Sequence, residues 1–504
     1  MNSQAALDFL DLTEDVILLI LADYCDVKSV VRISETSKYL HTLAFLHDIW
    51  LSLVTKLVQR HIIDVRRGNK NLQELSTDQL IAEVKRTLHG PETWGRRSNP
   101  PPNHSYNPPP NQSALRKTVK RFKNLAKKLV PPTAALLPSP SRIFAPEAQR
   151  IVIRPHIGAG PLSWERRVML LPGGEYVLFQ TSGRLECWRI SQNTLIWTHI
   201  CAMRDASVRH FAADLIEDDR AVILTCQNTW DEPQHFIEIT ILDLKSGNSN
   251  LVLVSRAPVF YFNGCAVCGN IAAVDLTREV LIIDWRTHSH VVIKHSSSGP
   301  PFSYRMALIP HYIILPRRSY PGEHLTVCPI AAFEALWVPV DSINEPSNYT
   351  SLDDLPTIPA DDVPLEARIG NVVDPATIRF WVYESPIACG VFRVWAHIST
   401  SRRVQLCAYE LTVQHSGVSS ERVSWDRLRF TSAPRPGYPL GMLYSGHFVN
   451  DSRDILPPVG VGGETADIIT LDLPWSGSRP HVSPYSGTVT CITEEGGFNI
   501  IFYD

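Results

Sequence analysis

Residues 264–285 read GCAVCGNIAAVDLTREVLIIDW. Short apolar runs are broken at Gly269-Asn270 and again at Thr277-Arg278. They are too short for helices, and bounded runs of this length are the pattern of buried strands joined by turns. The same texture extends outward in both directions, in RVMLLPGGEYVLFQ (167–180), RLECWRI (184–190), FIEITILDL (236–244) and VQLCAYELTV (404–413). Pro172-Gly173-Gly174, Ser182-Gly183 and Ser246-Gly247 punctuate the runs as turns. Several runs close on a tryptophan or aspartate: Trp188, Asp243, and Asp284-Trp285.

Asp243 and Asp284 lie 41 residues apart, near the roughly 40–45 residues of a WD-type propeller blade. A closed propeller also removes the open edges that so many strands would otherwise leave. At about 45 residues per blade, the 354 residues from Ile151 onward give six or seven blades once loops are subtracted. The last strand, Phe498 to Tyr503, is expected to complete the first blade. Trp188 to Asp243 spans 55 residues, so a pair of β-sandwiches stays open as an alternative. Residues 341–365 hold six acidic residues, no basic ones and four prolines, and are expected to form a surface loop insertion.

The N-terminal 9–58 segment, FLDLTEDVILLILADYCDVKSVVRISETSKYLHTLAFLHDIWLSLVTKLV, has helical spacing instead. Thr13 is placed to cap a first helix opening with Glu14 and Asp15, with Leu12 and Ile17 as a hydrophobic staple. Val16 through Ala22 has no polar side, and a helix apolar all round must be buried on every face. A module of about 50 residues covers such a helix poorly by itself, which implies a partner. Asp26 and Asp48 are placed to cap two further helices, carrying Val27, Val30 and Val31 and then Trp50, Leu53, Val54 and Leu57. Ile33, Ser37, Leu40 and Ala44 recur on one face between them.

This segment resembles the F-box. The family pattern places residues like Leu12, Asp15, Val16, Ile17, Ile20, Val30, Leu40, Leu43 and Trp50 at these intervals, with proline where Thr13 stands. The phrases TSKYLHTLAF, DIWLSLV, LSTDQLIAEVKRTLHGPETW and the terminal SPYSGTVTCITEEGGFNIIFYD look like the large group of fungal F-box proteins. The resemblance implies docking on the Skp-type adaptor of a cullin–RING ubiquitin ligase, through Leu12, Val16, Ile17, Ile20, Leu21, Val27, Val30, Val31, Leu40, Leu43 and Trp50. The C-terminal β domain would then select a target protein. A non-degradative scaffold that uses the F-box only for protein–protein interaction is the alternative.

The expected organisation is multidomain: an F-box module at 8–58, a helical extension at 59–98, a linker at 99–147 and an all-β, propeller-like domain at 148–504. In the extension, Ser76 and Gln79 form a capping box, Leu75 and Leu80 a staple, and Gly90-Pro91 a stop. Residues 99–112, NPPPNHSYNPPPNQ, favour polyproline II and a semi-rigid spacer. Beyond them, Arg116, Lys117, Lys120, Arg121, Lys123, Lys127 and Lys128 interleave with apolar residues as a basic amphipathic helix. That helix could dock on the acidic C-terminal region, serve nuclear import or nucleic-acid contact, or touch anionic membrane. Sequence-specific nucleic-acid reading is not expected, and membrane association is not favoured.

Across 504 residues, 44% are apolar and 20% charged, which excludes wholesale disorder. The net charge of −3 hides an asymmetry: residues 91–150 carry 11 basic and 2 acidic side chains, and residues from 151 onward carry 27 and 37. Ten irregularly spaced cysteines, no signal-peptide pattern and no apolar run near 20 residues point to a cytoplasmic or nuclear setting. Cys265 and Cys268 form the one close cysteine pair, with no second pair at zinc-ligand spacing. His288 and His290 follow Asp284 as turn residues. Gly460-Val461-Gly462-Gly463 lacks the lysine and helix of a phosphate loop, and no Gly-x-Ser-x-Gly elbow occurs. No metal, cofactor or catalytic residue is therefore expected, and a propeller enzyme is the least favoured reading.

Overall fold

The computed structural model describes residues 12–64, 71–94, 142–154, 167–181, 184–201, 206–217, 219–229, 235–257, 262–276, 279–294, 306–319, 322–340, 349–351, 363–365, 377–399, 404–414, 422–433, 439–456, 468–473, 480–493 and 495–503. From Val168 onward the short runs pair into seven sheets, built on antiparallel strands taken in chain order. The stretch 264–285 supplies three strands of the third sheet, Gly264–Cys268, Ile271–Asp275 and Glu279–Asp284. Its middle strand is buried at every position, as a strand covered on both faces must be.

The apolar cores lie between successive sheets. One core joins sheets two and three through Val222, Leu224, Ile239, Val274 and Leu281. Another joins four and five through Ile314, Val327, Val394 and Leu411. The ring closes where Ile492, Phe498 and Ile500 of the seventh sheet pack on Val168, Val177 and Phe179 of the first. The all-β region is thus a seven-bladed β-propeller, not a pair of sandwiches. Asp243 and Asp284 each end the third strand of their blade, and Trp188 stands one residue before the end of the third strand of blade one. The 55-residue interval arises because blade two opens with strands of 12 and 10 residues, Ala206–Glu217 and Arg220–Thr229. At the equivalent turns, Asp243 Oδ1 accepts from the Lys245 and Ser246 amides at 3.0 and 2.7 Å, and Asp284 Oδ1 from Arg286 and Thr287 at 3.0 and 3.3 Å.

Three expectations change here. Phe498–Phe502 does not complete the first blade; it is the third strand of blade seven, whose outer strand is Gln149–Ile153. Arg142–Phe144, within the expected linker, adds a fifth, parallel strand to blade six beside Ile468–Thr470. The ring is therefore locked by the strands that precede it. Likewise 341–365 is not loop throughout, because Tyr349–Ser351 pairs with blade three and Val363–Leu365 is the outer strand of blade four. An outer strand tolerates Pro364 because one of its edges is free of ladder bonds.

Among the described residues the N-terminal region forms five α-helices: α1 (Glu14–Leu19), α2 (Val27–Ser34), α3 (Lys38–Ala44), α4 (His47–Gln59) and α5 (Thr77–His89). Thr13 caps α1 through its backbone carbonyl, which accepts from the Val16 and Ile17 amides; its hydroxyl makes no cap bond. Asp26 caps α2, its carboxylate accepting from Ser29 N at 2.8 Å. Asp48 is not a cap: α4 begins two residues earlier than that would require, with Leu46 as its N-cap, and Asp48 sits in the first turn where the helix dipole favours it. Ser76 and Gln79 form the capping box of α5. Leu21, Val30, Leu43, Trp50, Leu57 and Leu80 are among the residues of one shared core.

This helical module sits directly on the propeller; the proline-rich segment 99–112 lies outside the described residues. Four blades meet it through the turns that join their first and second strands. The Lys28 amide donates to Ile387 O at 2.9 Å, and the Asp26 carboxylate accepts from Cys389 N. Arg60 pairs with Glu384 at 2.7 Å and donates to Ser385 O. Pro91 packs against Gly487, and Trp94 is buried in the core between blades six and seven, 5.5 Å from the Tyr503 ring. Asp64 approaches Gly174 of blade one. Two stretches quoted for the family resemblance, GPETW and SPYSG, thus meet at this seam.

Candidate functional site: the outer face of the helical module

From Val16 onward the first helix is apolar all round but is not buried on every face. Ile17 and Leu21 are fully buried, but Val16 is 39% exposed and Leu19 53%. After Leu19 the helix widens into a single π turn, Ile20–Tyr24, with the Cys25 amide donating to Ile20 O at 3.1 Å. A π turn accommodates an extra residue, which brings Tyr24 round to the side of Val16 and Ile20. Tyr24 is 80% exposed. Val16, Leu19, Ile20 and Tyr24 form one solvent-facing apolar stripe, with Ile20 half-buried.

The stripe is held in place from behind. The carbonyls at the end of the π turn lack intrahelical partners and are taken by α4: Lys56 Nζ donates to Ala22 O at 2.6 Å and Asp23 O at 2.7 Å, and Ser52 Oγ to Ala22 O at 2.9 Å. Tyr39 of α3 donates to the Glu14 carboxylate at 3.3 Å. Burial raises the Cys25 thiol pKa above its usual range. Where α2 and α4 meet the propeller, Tyr485 packs on the module core and donates to Glu384 O at 2.9 Å. Burial pushes the Tyr485 phenol well up, so it stays protonated and keeps that bond.

The residues singled out from sequence divide into two sets. Ile17, Leu21, Val27, Val30, Leu40, Leu43 and Trp50 lie in the interior of the module. Leu12, Ile20 and Val31 are half-buried and Val16 is exposed. Leu19 and Tyr24 escape the sequence reading, because their exposure depends on which side of the first helix the rest of the chain covers. The segment with Arg116, Lys117, Lys120, Arg121, Lys123, Lys127 and Lys128 lies outside the described residues, as does Gly460-Val461-Gly462-Gly463.

Elsewhere the chemistry-bearing residues are parts of the fold. Cys265 and Cys268 sit on one strand with different neighbours: Cys265 lies beside Cys226, whose thiol pKa is pushed well up by burial and by that contact, and Cys268 lies near Asp214. Neither Cys265 nor Cys268 is in a disulfide. His288 adopts a positive φ of 53° in the turn after Asp284, and His290 is buried in the next strand. Among the described residues, no group of three or more His, Cys, Asp or Glu side chains is placed to hold a metal ion. No helix among them is long and apolar enough to cross a membrane.

No family model matches the chain, and no curated protein does. Among solved structures it is similar to the WD40 domain of SCAP from fission yeast, at 11% identity over 67% of this chain and 81% of that one, with a TM-score of 0.37. It is also similar to the N-terminal domain of Nup159, at 10% identity over 68% of this chain and 91% of that one, with a TM-score of 0.34.

Proposed function

We propose that this protein is a substrate-recognition subunit of an SCF-type ubiquitin ligase, with the helical module acting as an F-box. In this reading α1 and its neighbours bind a Skp-type adaptor, and through it a cullin–RING ligase. The propeller holds a target protein on surface left uncovered by the module. The observation that carries the reading is the apolar stripe Val16–Leu19–Ile20–Tyr24, solvent-facing on a helix whose other side is fully packed. Such a stripe costs free energy in water and repays about 1.5–3 kcal/mol for each large side chain that a partner covers completely. The order and spacing from Leu12 to Trp50 support the F-box reading, as does the meeting of GPETW with SPYSG at the seam. The anchoring supports a receptor role, because a module fixed to the propeller holds a bound target at a set distance from the adaptor.

The test is direct binding. Full-length protein and purified Skp-type adaptor should associate, and Val16→Asp with Leu19→Asp should weaken association at least about a hundredfold, because two carboxylates would be buried at the contact. Both positions are exposed, so the double variant should retain the circular dichroism spectrum and thermal transition of the parent. Absence of binding by the parent, or undiminished binding by the folded variant, overturns the reading. Ubiquitin transfer to a captured protein in the reconstituted ligase separates the receptor from a scaffold.

A further inference from the structure

The apolar stripe continues beyond the helical module. Tyr24, at its lower end, also forms one wall of a cleft of about 440 Å³ at the seam with blade five. Cys25, Asp26, Lys56 and Arg60 line the cleft from the module, and Pro386 and Cys389 from the propeller. Pro386 and Cys389 belong to the turn between Thr377–Glu384 and Val391–Ser399, the turn on which the module is seated.

Asp23, Ser29 and Gln59 complete the polar part of the lining, and the other three charged groups around the cleft are already engaged. The Asp26 carboxylate accepts from the Ser29 and Cys389 amides. The Lys56 ammonium holds the Ala22 and Asp23 carbonyls, and the Arg60 guanidinium holds Glu384 and the Ser385 carbonyl. Any of these groups would have to give up a bond to greet a polar ligand. Apart from Asp23, Ser29 and Gln59, what the cleft offers without such a loss is carbon, from Tyr24, Val27, Leu53, Leu57 and Pro386. The apolar wall of this concave site, lipped by an exposed phenol, is suited to one large apolar side chain, the kind of anchor that dominates interface energetics. Because Tyr24 belongs to both the stripe and the cleft, a partner that covers the stripe reaches the cleft mouth.

We infer that this cleft is the second half of the adaptor site, taking one apolar side chain of the Skp-type adaptor between Tyr24 and Pro386. The identity of the occupant rests on the ligase reading above. The consequence is that the propeller itself grips the adaptor, through a turn that sequence inspection assigns only to the recognition domain.

Calorimetric titration of the full-length protein with purified Skp-type adaptor tests this. Tyr24→Ser and Cys389→Lys should each raise Kd about tenfold, while Tyr24→Phe should stay within about twofold, as expected for a packing anchor. Both residues are exposed, so folding should survive. Bound adaptor should also slow alkylation of Cys389 by N-ethylmaleimide about fivefold or more, as a covered thiol requires. If the parent binds and the Val16→Asp, Leu19→Asp variant does not, yet Tyr24→Ser and Cys389→Lys bind like the parent, the cleft is no part of the site. That result overturns this inference and leaves the ligase reading standing. If the parent fails to bind the adaptor at all, both fall together.

Discussion

Gly487 combines two constraints that bear on the seam between helices and propeller. Its φ of 68° lies in the left-handed region, and a Cβ built there would stand 2.5 Å from Pro91 Cγ. Gly269 supplies the control: its φ is 56°, but nothing lies within 4 Å of a Cβ at that position. Gly269→Ala should therefore cost only backbone strain, about 1 kcal/mol. Gly487→Ala should cost that plus the displacement of Pro91, about 2–4 kcal/mol in all. Denaturant midpoints of the two variants check the difference, and equal losses would show that Pro91 gives way freely. By contrast the Arg60–Glu384 pair is partly solvent-exposed, so it contributes about 0.2–1 kcal/mol and does not hold the seam alone. Packing of Tyr485, Ile387, Pro91 and Trp94 does most of that.

At the scale of elements, the ring depends on Gln149–Ile153, the outer strand of blade seven, in which Ile153 is fully buried between the first and last blades. Ile153→Asp should destabilise the protein by about 3–5 kcal/mol, as an unpaired buried charge does, and open blade seven first. Limited proteolysis should then cut near residues 474–497 well before the parent is cut anywhere in the propeller; uniform resistance would refute the locking role. Much at this scale is legible in the chain. Asp243 and Asp284 mark third-strand ends because local turn chemistry recurs there, and Asp26 and Ser76-Gln79 mark helix starts for the same reason. What is not legible is non-local. Nothing within QRIVI says that it pairs with FNIIF rather than opening the first blade. Val363-Pro364-Leu365 looks like loop because its ladder partner, Glu323–Leu325, lies 40 residues earlier. The outward side of α1 is hidden for a related reason: its composition is apolar throughout, and only assembly decides which residues are left uncovered.

Over the whole molecule, burial keeps several histidines neutral. His397, His447 and His481 are each pushed down to about 4 from an ordinary 6.5. The unfolded chain therefore binds more protons than the folded one between those values. Stability should be level above about pH 6.5 and fall as pH drops from there toward 4. Denaturation midpoints measured at pH 7.5, 6 and 5 check this, and stability that rises on acidification would contradict it. His447 lies against both Ser445 and Trp94, and a Cβ on Gly90 would meet Ser445 Oγ at 2.8 Å, so its protonation should loosen the helical extension with the ring. Closure by leading strands also has a consequence for manufacture in the cell. Ile153 leaves the ribosome some 345 residues ahead of its partner Phe498, about 20–70 seconds at ordinary elongation rates. For that interval a nascent chain carries a waiting half-clasp, and chaperone capture is most needed while it stays open.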